Sequence, residues 1–202
     1  MVIGLPIVFG LLVYLLISLG IVIWVTRHAR RQGRSGWKKG LLAVLVMYLL
    51  VFWDWIPTVI MYRYDCSTRA GFTVYKSLDE WKQENPGVIE TLHPIDNAAW
   101  ITTGSKRRVP LNQRFAWGTI TTSHPFYIRE REERIVDIRT GEVLARYIDF
   151  YTDFTTRTKV CNFHDLKVWM SWGSCERDGH KVNRGKYYDY EASIESIGKE
   201  KK

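Results

Sequence analysis

The segment LLVFWDWIPTVIMYRY, from Leu49 to Tyr64, decides how this 202-residue chain is divided. It closes an apolar run, and a more polar sequence follows it. A helix that began at Gly40 and stopped at Trp53 would reach only about 21 Å, too short for a bilayer core of about 30 Å. We therefore expect a membrane-spanning helix over residues 40–62, interrupted only by the carboxylate of Asp54.

Residues 2–25 form another apolar run, which contains no charged side chain. At about 1.5 Å per residue it reaches roughly 36 Å, enough to cross a bilayer with some tilt. It lacks a basic leading region, and no small-residue cleavage site precedes Arg27. We therefore expect a retained membrane helix over residues 1–26, and no cleaved signal peptide.

The link between the two apolar runs, residues 27–39, is strongly basic and contains no acid. Short cytoplasmic loops carry such an excess of cations, so the link is expected to be cytoplasmic and both chain ends to lie across the membrane. The same cations are also expected to attract anionic lipid head groups. A loop this short offers no folded surface for nucleic acid. The cations are Arg27, Arg30, Arg31, Arg34, Lys38 and Lys39.

Asp54 is the least expected residue of the second run, because a carboxylate within a span costs a few kcal/mol at the bilayer centre. It lies about 12 Å from the predicted end of the span, in the outer leaflet. Asp54 precedes Pro57 by three residues, the position of an N-cap residue where a helix restarts. We favour a helix break or a docking contact, while ion transfer and pairing with another membrane protein stay open. An interfacial aromatic belt is expected at Trp53, Trp55, Tyr62 and Tyr64.

Residues 63–192 predict an α+β domain with mostly antiparallel strands and short helices, large enough for one hydrophobic core. Ser77 and Glu80 form a capping box before a short helix, which Asn85-Pro86-Gly87 ends. A second short helical piece is expected over Val88–His93. Residues 193–202 are rich in Lys, Glu and Ser, and we expect a flexible charged tail there.

Alternating side chains predict several strands in this domain. The pieces FYIRER and ERIVDIR are expected to form two strands that meet at a charged turn around Glu132. RTGE, residues 139–142, predicts a tight turn with Gly141 at positive φ, followed by the strand VLARYIDFYTDF. A meander over residues 126–154 follows from these patterns. Further strands are expected at Gly71–Lys76, Leu111–Thr122 and Leu166–Trp172.

Four phrases stand in order between Trp53 and Phe154: WDWIPT, YDCSTRAGFTVYKSLDEWKQENPG, LNQRF and RIVDIRTGEVLARYIDF. Together they resemble a family of small proteobacterial inner-membrane proteins of uncharacterised function. The resemblance implies a bacterial inner-membrane location, and it brings no activity, cofactor or catalytic residue. With the basic loop cytoplasmic, the chain is expected to cross that membrane twice, with both termini and the α+β domain in the periplasm.

The three cysteines, Cys66, Cys161 and Cys175, lie on the oxidising side in this topology. We favour a disulfide between Cys161 and Cys175, which enclose 13 residues, for a stabilisation of about 3 kcal/mol. Cys66 is left free, linked to another copy, or paired with either of the others. A zinc site is the weaker alternative, with Cys161, His164, Cys175 and His180 as ligands in a spacing that matches no established motif.

The sequence contains no nucleophile elbow, zinc-protease motif, haem motif or glycine-rich phosphate loop. Ser123-His124 could join an acid in space, but a structural histidine is the more common outcome. We therefore expect a non-enzymatic protein without a cofactor, whose periplasmic domain binds or modulates a membrane-protein complex. Its partners are then the bilayer and another membrane protein, not nucleic acid. The alternatives are a prophage-type exclusion or defence protein, a periplasmic metal-dependent enzyme, and an ion-conducting component.

Overall fold

The computed structural model describes residues 4–33, 35–95, 98–152, 170, 172–177 and 179–197. They form two compact units, whose boundary in the sequence lies between Pro57 and Thr58. The first unit is helical, and the second is built on a six-stranded antiparallel sheet with helices. The predicted α+β class with mostly antiparallel strands is thereby confirmed.

Small residues hold the helices of the first unit close together. The Tyr14 hydroxyl donates a hydrogen bond to the carbonyl of Met47 on the other helix. A Cβ atom built on Gly40 would lie 2.5 Å from Thr26 Oγ1, so only glycine fits this crossing without a shift. The two helices are α1 (Gly4–Arg31) and α2 (Gly36–Phe52).

One part of α1, Val8–Arg31, is long and apolar enough to cross a membrane. Large apolar side chains are exposed along it, for example Phe9, Leu16 and Trp24. An exposed apolar surface of this extent is typical of a helix that faces lipid or a partner. The chain therefore has one N-terminal helix suited to a membrane.

The second predicted span, residues 40–62, is not one continuous helix. The helix α2 ends at Phe52, and α3 (Trp55–Thr68) begins after a two-residue break, bent by 54°. The 17 residues of α2 reach about 26 Å, short of a bilayer core of about 30 Å. Pro57 has no N–H to donate to the carbonyl of Trp53, which favours the break. A second crossing is not shown, because only the bent pair taken together has the length for it.

The sheet of the second unit has the order β1-β6-β5-β4-β3-β2, with antiparallel neighbours throughout. Gly104 joins β2 to β3 and Gly141 joins β5 to β6, each at positive φ, as the RTGE pattern predicts for the latter. The strands are β1 (Gly71–Val74), β2 (Ile101–Thr103), β3 (Lys106–Pro110), β4 (Phe115–Ser123), β5 (Ile128–Asp137) and β6 (Val143–Thr152).

The predicted turn around Glu132 is wrong, because β5 runs without interruption from Ile128 to Asp137. Its run of charged side chains is typical of an exposed turn, but in the structure these side chains form ion pairs across the sheet. Glu132 forms ion pairs with Arg134 on its own strand and with Arg146 on β6. The segment also lacks the Gly, Pro or Asn residues that turns use.

The short helices are confirmed in part and missed in part. The capping box of Ser77 and Glu80 opens α4 (Leu78–Glu84), and a 3₁₀ turn follows at Ile89–Thr91. Sequence patterns missed the β2–β3 hairpin and α5 (Arg184–Glu195). The predicted flexible tail from residue 193 begins too early, because α5 continues to Glu195 and Ile194 is fully buried.

The predicted Cys161–Cys175 disulfide is wrong, because Cys175 is bonded to Cys66 with the Cα atoms 5.4 Å apart. This bond ties α3 to a segment 109 residues further along the chain. Spacing alone favoured the short loop, but folding places Cys66 in the domain core beside Cys175. Cys161 lies outside the described residues, as does most of the strand predicted at Leu166–Trp172.

Candidate functional site

The two faces of the sheet have different surroundings. Residues directly opposite each other on neighbouring strands share a face, so the register assigns every side chain to one of them. Tyr187 of α5 contacts the rings of Phe72 and Tyr147, at centroid distances of 5.8 and 5.5 Å. Trp81 of α4 contacts Phe115 at 4.7 Å. We call this side the helix-covered face. The opposite side is the open face, although Ile128 and Phe150 at one end of it are fully buried.

A cross-strand row of cations lies on the open face. Arg108 is opposite Gly118, Gly118 is opposite Arg134, and Arg134 is opposite Arg146. We call Arg108, Gly118, Arg134 and Arg146 the arginine row. The neighbouring row, two residues along, contains Lys106, Ile120 and Glu132. The two rows together carry four cations and one acid, a net charge of +3.

Glu132 makes the close approach of two arginines tolerable. Like charges directly opposite each other on a sheet are destabilising, and Arg134 faces Arg146 in this way. Glu132 accepts hydrogen bonds from Arg134 at 2.7 and 2.9 Å and pairs with Arg146 as well. Burial raises the pKa of Glu132, but the two guanidinium groups outweigh burial and hold it below its usual value. Glu132 therefore stays ionised and orients both arginines.

The open face contains a groove of about 400 Å³ next to this row. Arginine and lysine side chains line it together with aliphatic ones, and its lining contains no aromatic side chain and no acid. Lys106 and Arg108 are exposed at its rim, and within the described part of the chain neither side chain forms an ion pair. We call this feature the open-face groove; it is lined, among others, by Ile101, Lys106, Arg108, Ile120, Arg134 and Val143.

The helix-covered face contains a buried ion cluster that stabilises the domain. Asp149 is fully buried, pairs with Arg131 at 3.2 Å, and accepts the backbone N–H of Cys175 at 2.9 Å. Glu133 pairs with Arg131 at 3.2 Å, and Arg184 of α5 lies 3.9 Å from it. Burial raises the pKa of Glu133, and the arginines offset only part of this effect. These groups pair with one another inside the domain, and we interpret them as structural.

A prediction concerns Glu191, whose pKa is raised to about 7 by burial and by the nearby charges of Glu133 and Glu195. An acid whose pKa is higher in the folded state loses stability as pH rises from about 4.5 to about 7. Glu191→Gln should raise the free energy of unfolding by about 1–2 kcal/mol at pH 8, after discount for partial exposure, and by little at pH 4. Urea titrations followed by tryptophan fluorescence at both pH values measure this. The exposed control Glu90→Gln should leave the curve unchanged, and equal gains in the two variants would contradict it.

The Ser123-His124 pair does not form a catalytic triad in this structure. His124 lies 2.8 Å from Glu130, which also pairs with Arg69 at 2.6 Å, and Arg69 reaches Asp65. Among the described groups, Ser123 makes no side-chain hydrogen bond to His124. The cluster links the β4–β5 turn to the end of α3. This is the structural role expected of a partly buried histidine.

Asp54 lies in the break between α2 and α3, and its side chain is buried. Pro57 occupies the first turn of α3, where a missing N–H is tolerated.

Of the proposed aromatic belt, Trp53, Trp55 and Tyr64 are exposed. The prediction for Tyr62 is wrong, because its side chain is 2% exposed and belongs to the domain core.

Tyr62 packs inside the second unit. Its ring stacks on Trp172 with centroids 5.7 Å apart, and its hydroxyl donates to the Gly173 carbonyl at 3.2 Å. Four residues later in α3, Cys66 forms the disulfide with Cys175. The second half of α3 is therefore part of the folded domain. The sequence had predicted a membrane span as far as residue 62.

The alternative zinc site loses one ligand, because the sulfur of Cys175 is bonded to Cys66 and has no thiolate to offer. Cys161 and His164 lie outside the described residues, and His180 follows Cys175 in a loop. Where the structure describes the chain, no group of three or more His, Cys, Asp or Glu side chains is arranged to hold a metal. The predicted zinc site with these four ligands is therefore wrong.

The predicted topology signal lies at the facing ends of α1 and α2. Arg27, Arg30 and Arg31 belong to the last turns of α1, and Lys38 and Lys39 belong to the first turn of α2. The connection is therefore shorter than the predicted loop over residues 27–39. Arg34 lies outside the described residues.

The fold and the site define a class: an α+β domain with one open cationic sheet face, on a chain with an N-terminal apolar helix. No model of a known protein family, no curated protein and no solved structure matches this chain. Sequence reasoning missed the arginine row. The signal available was Lys106-Arg107-Arg108 in one alternating segment and Gly118 inside another.

Proposed function

We propose that this protein is a membrane-anchored, non-catalytic binding protein whose open-face groove binds an acidic segment of a membrane protein or complex. The observation that carries the proposal is the arginine row beside a concave, partly aliphatic groove whose lining contains four cations and no acid. Complementary charge steers association and selects partners. The aliphatic lining adds contact with apolar side chains of the same segment.

Other anionic partners fit this groove less well. Single-stranded nucleic acids stack their bases on aromatic side chains, and the groove lining contains none. A bilayer surface is flat, whereas a groove of about 400 Å³ accepts protruding side chains. A protein segment with alternating acidic and apolar residues supplies both kinds of contact.

The proposed location is a bacterial inner membrane with the domain in the periplasm. The motif resemblance supports the inner membrane, and the cations at the facing ends of α1 and α2 support a cytoplasmic link. The Cys66–Cys175 disulfide fits an oxidising compartment. In this two-pass arrangement α2 and the start of α3 form a broken second span.

Protease added to spheroplasts should then digest the domain, and full protection of it would contradict this topology.

The test of the function is co-purification from native membranes in mild detergent. Lys106→Glu combined with Arg108→Glu should lower recovery of an acidic membrane protein at least tenfold, because both rim cations become repulsive. The matched control is Lys181→Glu combined with Lys186→Glu, two exposed cations outside the groove with the same charge change.

Recovery of the same partner should also fall with added salt. Replacing partner acids by lysine should restore binding to the reversed groove. Equal recovery with wild type, groove variant and control would contradict the proposed function.

A further inference from the structure

Gly118 has no structural requirement that explains it. It lies in the middle of β4, and it is not among the glycines at positive φ. A Cβ atom built there meets nothing closer than the Arg107 carbonyl, at 3.4 Å, an ordinary contact. Glycine inside a strand weakens it and often marks a place where a ligand approaches closely. What Gly118 provides is space on the open face.

That space lies between two arginine residues of the neighbouring strands. Arg108 and Arg134 are the direct neighbours of Gly118 on β3 and β5, and all three residues share the open face. With strands about 4.8 Å apart, the Cα atoms of the two arginines lie roughly 10 Å from each other. Ile120 bounds the gap along β4. We call this gap the Gly118 notch.

The two arginines are prepared for different parts of one anion. Arg134 uses Nε and one terminal nitrogen for Glu132, so its orientation is set while a terminal N–H group stays available. The guanidinium of Arg108 forms no hydrogen bond or ion pair with any side chain that the structure describes, and the residue lines the groove. A planar carboxylate matches such a fork with two parallel hydrogen bonds.

We propose that the Gly118 notch binds one carboxylate, the side chain of an aspartate or glutamate in the partner segment. The inference rests on the proposed function and adds its specificity site. Arg108 receives the carboxylate in a fork, Arg134 contributes a third N–H, and the absent side chain of Gly118 leaves room for the acid to descend to the sheet. Lys106, at the rim, steers the segment without selecting a position.

The direct test uses the full chain in detergent micelles with 15N-glycine labelling. The chain has 15 glycines, and a Gly118→Ala variant assigns the Gly118 amide signal. N-acetyl-glutamate methylamide is titrated at constant ionic strength, with the glutamine analogue and inorganic phosphate as separate arms. The glutamate probe should shift the Gly118 signal saturably, leave Gly87 and Gly179 unmoved, and bind at least fivefold more weakly to Arg108→Gln. No saturable shift, an equal shift with the glutamine analogue, or tighter binding of phosphate would overturn the proposal.

A second variant separates this inference from the proposed function. Gly118→Val fills the notch, keeps every charge, and places a good strand former in β4. It should lower partner recovery at least tenfold, while Thr122→Val, on the same face of β4 but outside the groove, should not. If Gly118→Val binds normally and the Lys106/Arg108 reversal does not, the notch is refuted and the proposed function stands. If neither variant loses the partner, both fail.

Discussion

Replacing Cys66 and Cys175 together by alanine is expected to lower the free energy of unfolding of the domain by about 4–5 kcal/mol. The bond joins residues 109 apart, and in the chain-entropy account a loop of about this length removes a large part of the freedom of the unfolded chain. Cys175 is also fully buried, so the alanine variants leave a gap in the core. Urea unfolding of the full chain in micelles, followed by tryptophan fluorescence, measures the loss.

The matched control is Cys161→Ala, which also removes a cysteine and leaves the Cys66–Cys175 bond intact. It should leave the domain within about 1 kcal/mol of the wild type, and reduction of the wild type should reproduce most of the double variant's loss. If Cys161→Ala costs as much as the double variant, the pairing described here is not the one that stabilises the domain.

Asp137→Ala is expected to lower the free energy of unfolding by about 3–5 kcal/mol, because it removes the carboxylate that pairs with the buried Arg114. Asp137 is fully buried and accepts hydrogen bonds from Trp81 Nε1 at 2.9 Å and from Arg114 Nε at 2.8 Å. It also accepts the backbone N–H groups of Arg139 and Thr140, which close the turn after β5. One carboxylate therefore connects α4, the residue that precedes β4, and the β5–β6 hairpin.

The control for this prediction is Asp79→Ala, whose carboxylate forms only an exposed pair with Lys82. It should change the free energy of unfolding by no more than about 0.5 kcal/mol. Similar losses of unfolding free energy in the two variants, measured by urea unfolding, would contradict a larger stabilising contribution from the buried network.

The pH dependence of the Asp137 contribution follows from its pKa. Burial raises that pKa, but hydrogen bonds from Trp81, Arg114 and the turn outweigh burial and lower it below the ordinary value. A carboxyl group with a lowered pKa in the folded state contributes fully above its unfolded pKa of about 4. Its contribution should be lost as pH falls through the folded value, and Asp137→Ala should lose this acid sensitivity.

Local patterns in the sequence predicted local structure well. The capping box of Ser77 and Glu80, the turn at Gly141 and the alternation in β6 each depend on residues close in the chain. The same reasoning failed at Glu132, where charges that pair across strands look like a solvated turn. It also failed at α5, although Tyr187 and Ile194 recur at helical spacing and both are buried.

Features that depend on long-range register were beyond the sequence. The disulfide joins residues 109 apart, and cysteine spacing alone leaves the pairing open. The arginine row brings together residues from β3, β4, β5 and β6 that only the strand register places side by side. A one-residue shift of β3 would move Arg108 to the helix-covered face. The open-face groove could therefore be recognised only in the folded domain.

The most direct test of binding through the open-face groove is photo-cross-linking in native membranes. A benzoylphenylalanine residue at position 101 replaces Ile101, which is 61% exposed at the groove, and one at position 186 replaces the exposed Lys186 on α5. Position 101 should capture an acidic membrane protein, and Lys106→Glu with Arg108→Glu in the same chain should abolish that product, while position 186 should not capture it. Capture of the same protein from both positions, or capture at position 101 that survives the charge reversal, would contradict this account.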